Sequence, residues 1–321
     1  MVEALPAVDI HGLSKSYRIG HLRPQRRQAL RDLSLQVPRG VVFGCLGPNG
    51  SGKSTTLKLL LGLLFPDSGS ATILGQPIGA RAARQSVGYL PENPYFYDYL
   101  TPNEYLDYAG RLFGLPHGAR KDRARELLDL VGLAEAAEVH MRRFSKGMLQ
   151  RLGVAQALVN RPELVFLDEP MSGLDPLGRR SVREIILRLK AEGSTVFFST
   201  HILSDAETLC DEVAVLRGGS VVAKGRLDQI LSLDVTHMEV LVSGLGPPEV
   251  SGLPAGVETF PAMGERLVLH VPEKQLGSVV VAVEQRGGRV LSVQPVRQSL
   301  EDYFFAEMGH PAKGEAWTAG A

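Results

Sequence analysis

The sequence predicts an α/β protein with a parallel core sheet, and two observations lead to this fold class. Short, continuous apolar runs recur at 41–46, 164–167 and 195–198, and such runs are typical of parallel strands that are buried on both faces. Between the last two runs, apolar residues recur at helical spacing over 182–189. A strand, a helix and a further strand therefore follow one another, as they do in a parallel α/β unit.

A glycine-rich loop follows the first apolar run and precedes a leucine-rich segment, 55–61, that is predicted to be a helix. The loop consists of Gly47, Pro48, Asn49, Gly50, Ser51, Gly52, Lys53, Ser54 and Thr55. It matches the pattern G-x-x-x-x-G-K-[ST] between a strand and a helix, which is the context of a phosphate-binding loop. Unpaired backbone N–H groups and the helix dipole attract an anion there, and glycine lets the backbone approach it closely.

This loop predicts a nucleotide site. Lys53 is expected to neutralise the β- and γ-phosphates of ATP, and the Ser54 hydroxyl is expected to be a ligand of Mg²⁺. The alternative is a glycine-rich turn with a solvated lysine, and the strand and helix that flank the loop disfavour it.

Two adjacent carboxylates follow the apolar run 164–167. Because successive side chains point in different directions at a strand end, Asp168 is predicted to hold Mg²⁺ while Glu169 acts as the general base on a water molecule. The alternative is a solvated acid pair. His201 directly follows another core strand, and in open α/β sheets ligands bind at the carboxyl ends of the strands. The predicted catalytic residues are therefore Lys53, Glu169 and His201.

The composition excludes several classes of protein. With 321 residues the chain is long enough for two domains, and its 35 Lys and Arg balance its 35 Asp and Glu. No nucleic-acid partner is expected from this balance. Cys45 and Cys210 have no metal-binding spacing and are expected to be core thiols in a reducing compartment. We expect no secretion signal and no membrane span, so a membrane role requires a separate partner.

Changes in composition and periodicity along the sequence predict the organisation of the chain. A nucleotide-binding domain is expected over 1–230, with an antiparallel sheet up to about 79 and a helical insert over about 91–160. A small C-terminal α+β domain is expected over 235–308, followed by a disordered tail, 309–321. The expected elements of this domain are strands at 235–245, 266–271 and 289–296 and helices at 273–286 and 299–308.

The chain resembles, over about 8–225, the nucleotide-binding subunit of ATP-binding cassette (ABC) transporters. The motifs that carry the resemblance are, in order, Tyr17, the loop 47–55, Tyr89-Leu90-Pro91-Glu92, Phe144-Ser145-Lys146-Gly147-Met148, the acid pair, Ser172-Gly173-Leu174-Asp175 and His201. The resemblance implies that Tyr17 stacks on adenine. It also implies that Ser145 and Gly147 cap the γ-phosphate of ATP bound to a second subunit. His201 is then expected to contact that γ-phosphate, and Asp175 to communicate across the dimer.

Two residues depart from the family pattern. Glu92 replaces a glutamine, and it keeps an oxygen that can reach Mg²⁺ or an attacking water. Lys146 replaces the first glycine of the signature pair, and its side chain is expected either to point into solvent or to contact phosphate. Both variants are similar to those of single-cassette subunits that pair with separate, export-type permeases.

The resemblance implies an ATP-hydrolysing motor on the cytoplasmic face of the inner membrane, bound peripherally to integral membrane permease subunits. Two cassettes, in a homodimer or in a heterodimer with a related cassette, are expected to enclose ATP and Mg²⁺. The alternative is a non-transport ABC ATPase that acts as a nucleotide-dependent interaction switch. Such proteins usually carry two cassettes, a coiled-coil insert or a basic surplus, and this sequence has none of them.

An aromatic cluster follows Glu92 and consists of Tyr95, Phe96, Tyr97 and Tyr99. Aromatic residues are enriched at interface hot spots, and the cluster resembles the surface at which the family receives its membrane subunit. We therefore predict a docking surface there. Packing of these rings between the helical insert and the sheet is the alternative.

Overall fold

The structure is a computed structural model that describes residues 5–19, 25–230, 235–245, 253–262, 264 and 266–297. The chain divides into two compact units, of which the first extends to Leu227 and the second begins at Asp228. The predicted helix at 299–308 and the predicted tail at 309–321 lie outside the described residues.

Two sheets form the framework of the first unit. Its strands are β1 (Val8–Ile19), β2 (Gln25–Val37), β3 (Val42–Leu46), β4 (Ser68–Ile73), β5 (Gln76–Pro77), β6 (Val87–Leu90), β7 (Leu164–Asp168), β8 (Thr195–Thr200), β9 (Glu212–Arg217) and β10 (Ser220–Arg226). The core sheet has the order β10-β9-β3-β8-β7-β6, and its pairs are parallel apart from the antiparallel pair of β9 and β10. The second sheet, β2-β1-β4-β5, is antiparallel. Both sheets were predicted, and both are confirmed.

The helices connect the strands of the core sheet and also form the insert. They are α1 (Lys53–Leu60), α2 (Arg81–Gln85), α3 (Pro102–Leu112), α4 (His117–Leu130), α5 (Lys146–Ala157), α6 (Pro176–Ala191), α7 (Leu203–Leu209) and α8 (Leu227–Ile230). Helices α3, α4 and α5 lie within the predicted insert. Thr101 and Glu104 form a capping box at the start of α3, in which Glu104 Oε2 accepts a 2.8 Å hydrogen bond from the Thr101 N–H.

Two hydrophobic clusters cover the two faces of the core sheet. On neighbouring strands, Phe166 and Phe197 pack in the cluster that includes the antiparallel sheet, and Leu167 and Phe198 pack in the cluster that includes the insert. Successive side chains on a strand point to opposite faces, which explains why β7 and β8 are apolar throughout. Cys45 is a buried free thiol, as expected, and its burial raises its pKa to about 12.

Phe96 belongs to this packing and not to an exposed surface. It is only 8% exposed, and its ring centroid lies 5.1 Å from that of Tyr105 in an edge-to-face contact. The prediction that Phe96 is a docking residue is therefore wrong, because its ring fills the space between α3 and the sheet. Tyr95, Tyr97 and Tyr99 are exposed, in agreement with the prediction.

In the part of the second unit that the structure describes, a four-stranded antiparallel sheet packs against one helix. Its elements are β11 (Val235–Ser243), β12 (Glu258–Pro261), β13 (Arg266–Val271), α9 (Leu276–Gln285) and β14 (Arg289–Arg297), with a 3₁₀ turn at Glu273–Gln275. The sheet order is β12-β13-β11-β14, and valines from β11, β13 and α9 form its core. The three predicted strands are confirmed, and β12 was missed.

Within the part of the chain that the structure describes, no helix combines the length and the apolar character that crossing a bilayer requires.

Candidate active site

The phosphate loop connects β3 to α1, and its glycines are required by both conformation and space. Gly52 caps α1 with a φ of 113°, and a Cβ on it would lie 2.6 Å from the side chain of Leu30. A Cβ on Gly47 would lie 2.3 Å from the carbonyl oxygen of Leu216. The Ser51 hydroxyl is buried and has no hydrogen-bond partner among the described residues. A backbone cradle with an unsatisfied donor fits the phosphate chain of a nucleotide.

Lys53 is the first residue of α1 and lies within the loop that precedes it. Its ammonium donates hydrogen bonds to the carbonyl oxygens of Gly47, at 2.7 Å, and Pro48, at 3.3 Å. It also forms an ion pair with Glu169, with 3.4 Å between Lys53 Nζ and Glu169 Oε1. The side chain is almost completely buried, so its charge acts with little screening by water.

Ser54 and Asp168 are brought together at the base of this loop. Ser54 Oγ donates a 3.1 Å hydrogen bond to Asp168 Oδ1, and Ser199 Oγ donates one of 2.6 Å to the same oxygen. A buried carboxylate oxygen next to a hydroxyl oxygen provides the hard ligands that Mg²⁺ prefers. Among the described residues, no group of three or more His, Cys, Asp and Glu is arranged for a metal.

The carboxylate of Glu169, at the end of β7, lies between the Lys53 ammonium and the His201 imidazole. His201 Nδ1 is 2.9 Å from Glu169 Oε2, while Lys53 approaches the other carboxylate oxygen. The Glu169 backbone has a φ of 51°, which is unusual for a residue with a side chain. Its N–H donates to Ser199 Oγ at 3.0 Å and holds this conformation. The three predicted catalytic side chains therefore meet at one point.

Tyr17 lies on β1, and its hydroxyl is 3.5 Å from Thr55 Oγ1 at the start of α1. Its register partner on β2 is Arg27, and a Cβ on Gly50 would lie 3.3 Å from the guanidinium of that arginine. An aromatic ring and a cation therefore flank the phosphate loop. This placement suits contacts with the base and the phosphates of a nucleotide.

Glu92 lies in the loop after β6, the strand that pairs with β7. Its side chain is exposed. The pKa of Tyr89 is raised to about 12, mainly by burial and then by the charges of Asp168 and Glu92. Leu90 on β6 pairs with Leu167 on β7, so the chain leaves both strands at the same edge of the sheet. Glu92 is thus near the Asp168 end of the site, although its predicted role as a metal ligand stays a prediction.

Ser145, Gly147 and Asp175 lie at the starts of α5 and α6, and their neighbours are residues outside the phosphate loop. Ser145 Oγ accepts a 3.2 Å hydrogen bond from Met148 N–H at the start of α5. A Cβ on Gly147 would be 3.8 Å from Leu174, and Asp175 caps α6 by accepting a 2.8 Å bond from Gly178 N–H. Their predicted roles toward a second subunit stay predictions.

Sequence reasoning missed Ser199, which contacts both carboxylate residues. Strand pairing places it opposite Asp168, because Asp168 on β7 is the register partner of Ser199 on β8. The signal in the sequence was a hydroxyl residue two positions before His201, at the end of a strand that is predicted to neighbour β7.

The fold and this site define a P-loop nucleotide hydrolase, and comparisons with known proteins identify its family. The family model described as ABC transporter matches residues 30–172. An ABC transporter ATP-binding protein of Nostoc sp. (strain PCC 7120) is 47% identical over 305 residues, which cover 92% of this chain and 88% of that protein. Nod factor export ATP-binding protein I of Rhizobium sp. (strain N33) is 35% identical over 306 residues, which cover 94% and 97% of the two chains.

A solved structure described as the ATP-binding subunit of an ABC transporter matches with a TM-score of 0.61 and 35% identity, covering 70% of this chain and 91% of that one. The chain therefore belongs to the ABC transporter family of ATP-binding proteins. It is an ATP-hydrolysing motor subunit of a transporter, and the predictions of fold, activity and family from the sequence are confirmed.

Proposed function

We propose that Glu169 is the general base of ATP hydrolysis and that Lys53 and His201 position its carboxylate. The single observation that carries this proposal is the convergence of the Lys53 ammonium and the His201 imidazole on the two oxygens of one buried carboxylate, at 3.4 and 2.9 Å. An ionised carboxylate that is held in place can accept a proton from a water molecule with little rearrangement. When ATP occupies the loop, the Lys53 ammonium is shared with the phosphates.

The residues proposed to hold Mg²⁺ are Ser54, Asp168 and, through the loop after β6, Glu92. A bound Mg²⁺ would neutralise charge on the β- and γ-phosphates. The Asp168 carboxylate is oriented by the hydroxyls of Ser54 and Ser199, which both donate to it. Tyr17 supplies a ring beside the loop for the adenine base.

We further propose that two cassettes pair, as a homodimer or with a related cassette, and complete each other's sites. Within one chain, Ser145 contacts Met148 and Gly147 faces Leu174, whereas the phosphate loop contacts Glu169 and β2. The exposed Asp175, at the start of α6, is positioned to face a second copy. Dimer closure around ATP is the step that would transmit force.

The partner in the membrane is proposed to be a separate permease that docks on a tyrosine surface consisting of Tyr95, Tyr97 and Tyr99. These side chains are 86%, 42% and 63% exposed, and Tyr97 and Tyr99 border a cleft of about 510 Å³. The cleft is lined by Tyr97, Tyr99, Leu100, Glu104, Asp107, Tyr108 and Arg111. Exposed rings at a concave surface are typical of interface anchors. Binding there would place the chain peripherally on the cytoplasmic face of the inner membrane.

The direction of transport is proposed to be export, on the basis of the relative that is named for Nod factor export. Residues 235–308 are proposed to form an accessory domain, since the motifs of the nucleotide site end at His201. The sheet of this region has a core of its own, which is formed by valines and one leucine.

The experiment that tests the proposed site compares Glu169→Gln with Glu163→Gln in the full chain. Both residues flank β7, but the Glu163 side chain is 61% exposed and pairs only with Arg39 among the described residues, so it serves as the matched control. Glu169→Gln is expected to bind ATP and to lose about 10²- to 10⁴-fold in turnover, because a general base typically contributes that much. The control should retain wild-type turnover.

Lys53→Ala provides the complementary variant and should lose ATP binding itself. Binding is measured with a fluorescent ATP analogue, and turnover by phosphate release. Turnover of Glu169→Gln within threefold of the wild type would remove Glu169 as the base.

A further inference from the structure

The start of α5 packs along the loop that follows the acid pair. Gln150 Nε2 donates a buried 3.1 Å hydrogen bond to the carbonyl oxygen of Pro170. Near the first turn of α5, the nearest atom to a Cβ built on Gly147 is in the side chain of Leu174, at 3.8 Å. The segment 170–174 is thus attached to α5 by this hydrogen bond, and the side chain of Leu174 is the group that faces Gly147.

Lys146 makes a second contact, and it is one of the two residues that depart from the family pattern. A Cβ built on Gly173 would lie 2.3 Å from Lys146 Nζ, 3.1 Å from its Cε and 3.7 Å from its Cδ. The outer half of the lysine side chain therefore lies across Gly173. Gly173 has a φ of 68°, in the left-handed region that favours glycine. The lysine occupies the space that a side chain at position 173 would require.

The charge of Lys146 does not stabilise the helix that carries it. Lys146 is the first residue of α5, and the first turn of α5 contains no acidic residue. A cation at the positive end of a helix dipole is unfavourable. The Ser145 hydroxyl already caps this helix start, so local helix stability gives no reason for a lysine here.

We propose that Lys146 is a positioning residue for ATP hydrolysis, whose side chain lies across Gly173 and fixes the loop 172–175 to the start of α5. This inference rests on the proposed function, in which Ser145, Gly147 and Asp175 act on the nucleotide of a second cassette. The packing of Lys146 makes α5 and the loop 172–175 one rigid element. Both then arrive at the partner's nucleotide together, and small errors in such placement reduce turnover strongly.

The inference is tested by a double-mutant cycle in the full chain with Lys146→Ala, Gly173→Ala and the double variant. In the wild-type background, the methyl group of Gly173→Ala displaces the lysine side chain. In the Lys146→Ala background it meets no lysine, and the backbone strain at a positive φ is present in both backgrounds and cancels in the cycle. The measured quantities are kcat and KM for ATP, with the melting temperature as a check on folding.

Each single variant is expected to lower kcat about tenfold with KM for ATP unchanged, because ATP binds to the cradle of its own subunit. The double variant should be no slower than the slower single variant. Lys146→Met, which keeps the length of the side chain, should retain more than about half of the wild-type kcat.

Three results would overturn the inference. Defects that multiply to about a hundredfold in the double variant would show that Lys146 acts independently of Gly173, as a phosphate contact would. Wild-type kcat in Lys146→Ala would show a solvated lysine, and equal losses in the Met and Ala variants would show that charge and not packing matters.

The wild type and Glu169→Gln are measured in the same assay. If Glu169→Gln keeps wild-type turnover, the proposed function fails, and if only the cycle deviates, this inference fails alone.

Discussion

The four aromatic residues after Glu92 should separate into one core residue and three surface residues, and alanine variants test this separation. Phe96 lies in the cluster that also contains Leu90 and Tyr105, and the end of its ring would lie 3.6 Å from a Cβ built on Gly153. Its ring is thus enclosed by β6, α3 and α5. Tyr95 is its direct neighbour in the sequence, yet it is 86% exposed.

The difference in burial sets the expected magnitudes. Phe96→Ala removes a buried ring and leaves a cavity, which typically costs about 3–5 kcal/mol. A unit of this size loses about 2–4 °C of melting temperature per kcal/mol, so we expect a decrease of about 6–20 °C. Tyr95→Ala removes an exposed ring and should change the stability by less than about 0.5 kcal/mol.

The assay is thermal unfolding of the four single alanine variants, followed by co-purification with the permease. Tyr95, Tyr97 and Tyr99 variants are expected to melt like the wild type and to bind the permease about 30-fold more weakly, the equivalent of about 2 kcal/mol for an interface anchor. A melting temperature of Phe96→Ala within 2 °C of the wild type would refute the assignment to the core. Full co-purification of all three tyrosine variants would refute the docking surface.

Three further predictions concern the phosphate loop, the partly buried carboxylate of Asp107 and the buried carboxylate of Asp205. Gly52→Ala should weaken ATP binding more than about tenfold, because its Cβ would lie 2.6 Å from a leucine of β2. Gly79→Ala is the control, since Gly79 also has a positive φ but has open space around it, and it should not weaken ATP binding. Equal effects of the two variants on ATP affinity would contradict this prediction. The Arg120 hydrogen bond lowers the pKa of Asp107, so Asp107→Asn should cost about 1 kcal/mol of stability above pH 4. This difference between wild type and variant should disappear as the pH drops through the lowered pKa of Asp107. Burial raises the pKa of Asp205 despite two nearby arginines, so the wild type should gain stability relative to Asp205→Asn as the pH falls through that raised pKa. Denaturant unfolding from about pH 2 to pH 7 covers both transitions, and the same slope for both carboxylates would refute the argument.

The fold was predictable because its signals are local. The apolar runs that became β3, β7 and β8 are continuous, and they contrast with the alternation of apolar and polar residues in half-buried strands. The strand β12 was missed because it has four residues and ends at Pro261, and proline usually marks an edge or the end of a strand. Its pairing with β13 comes from tertiary contact and not from any local pattern.

The candidate site was predictable to the extent that its residues lie in contiguous motifs. Lys53, Asp168 and Glu169 could be named because each occurs at a fixed position relative to a strand end. Ser199 could not be named in the same way, since its role depends on the register between β7 and β8. Phe96 was misassigned because aromatic density along the sequence does not distinguish a ring that enters the core from one that faces water.

The strained backbone of Glu169 shows how register and chemistry are connected in this site. A residue with a side chain at a φ of 51° is disfavoured by roughly 1–2 kcal/mol, and the strain persists only if surrounding contacts hold it. Ser199 provides that contact, because its hydroxyl donates to Asp168 at 2.6 Å and accepts from the Glu169 N–H at 3.0 Å. One hydroxyl on β8 therefore orients the proposed metal ligand and fixes the turn that directs the proposed base toward Lys53 and His201. Since β7 and β8 are buried on both faces, a shift in their register would move their side chains between the two hydrophobic clusters and displace both carboxylates together, so core packing and site geometry are determined by the same strand pair.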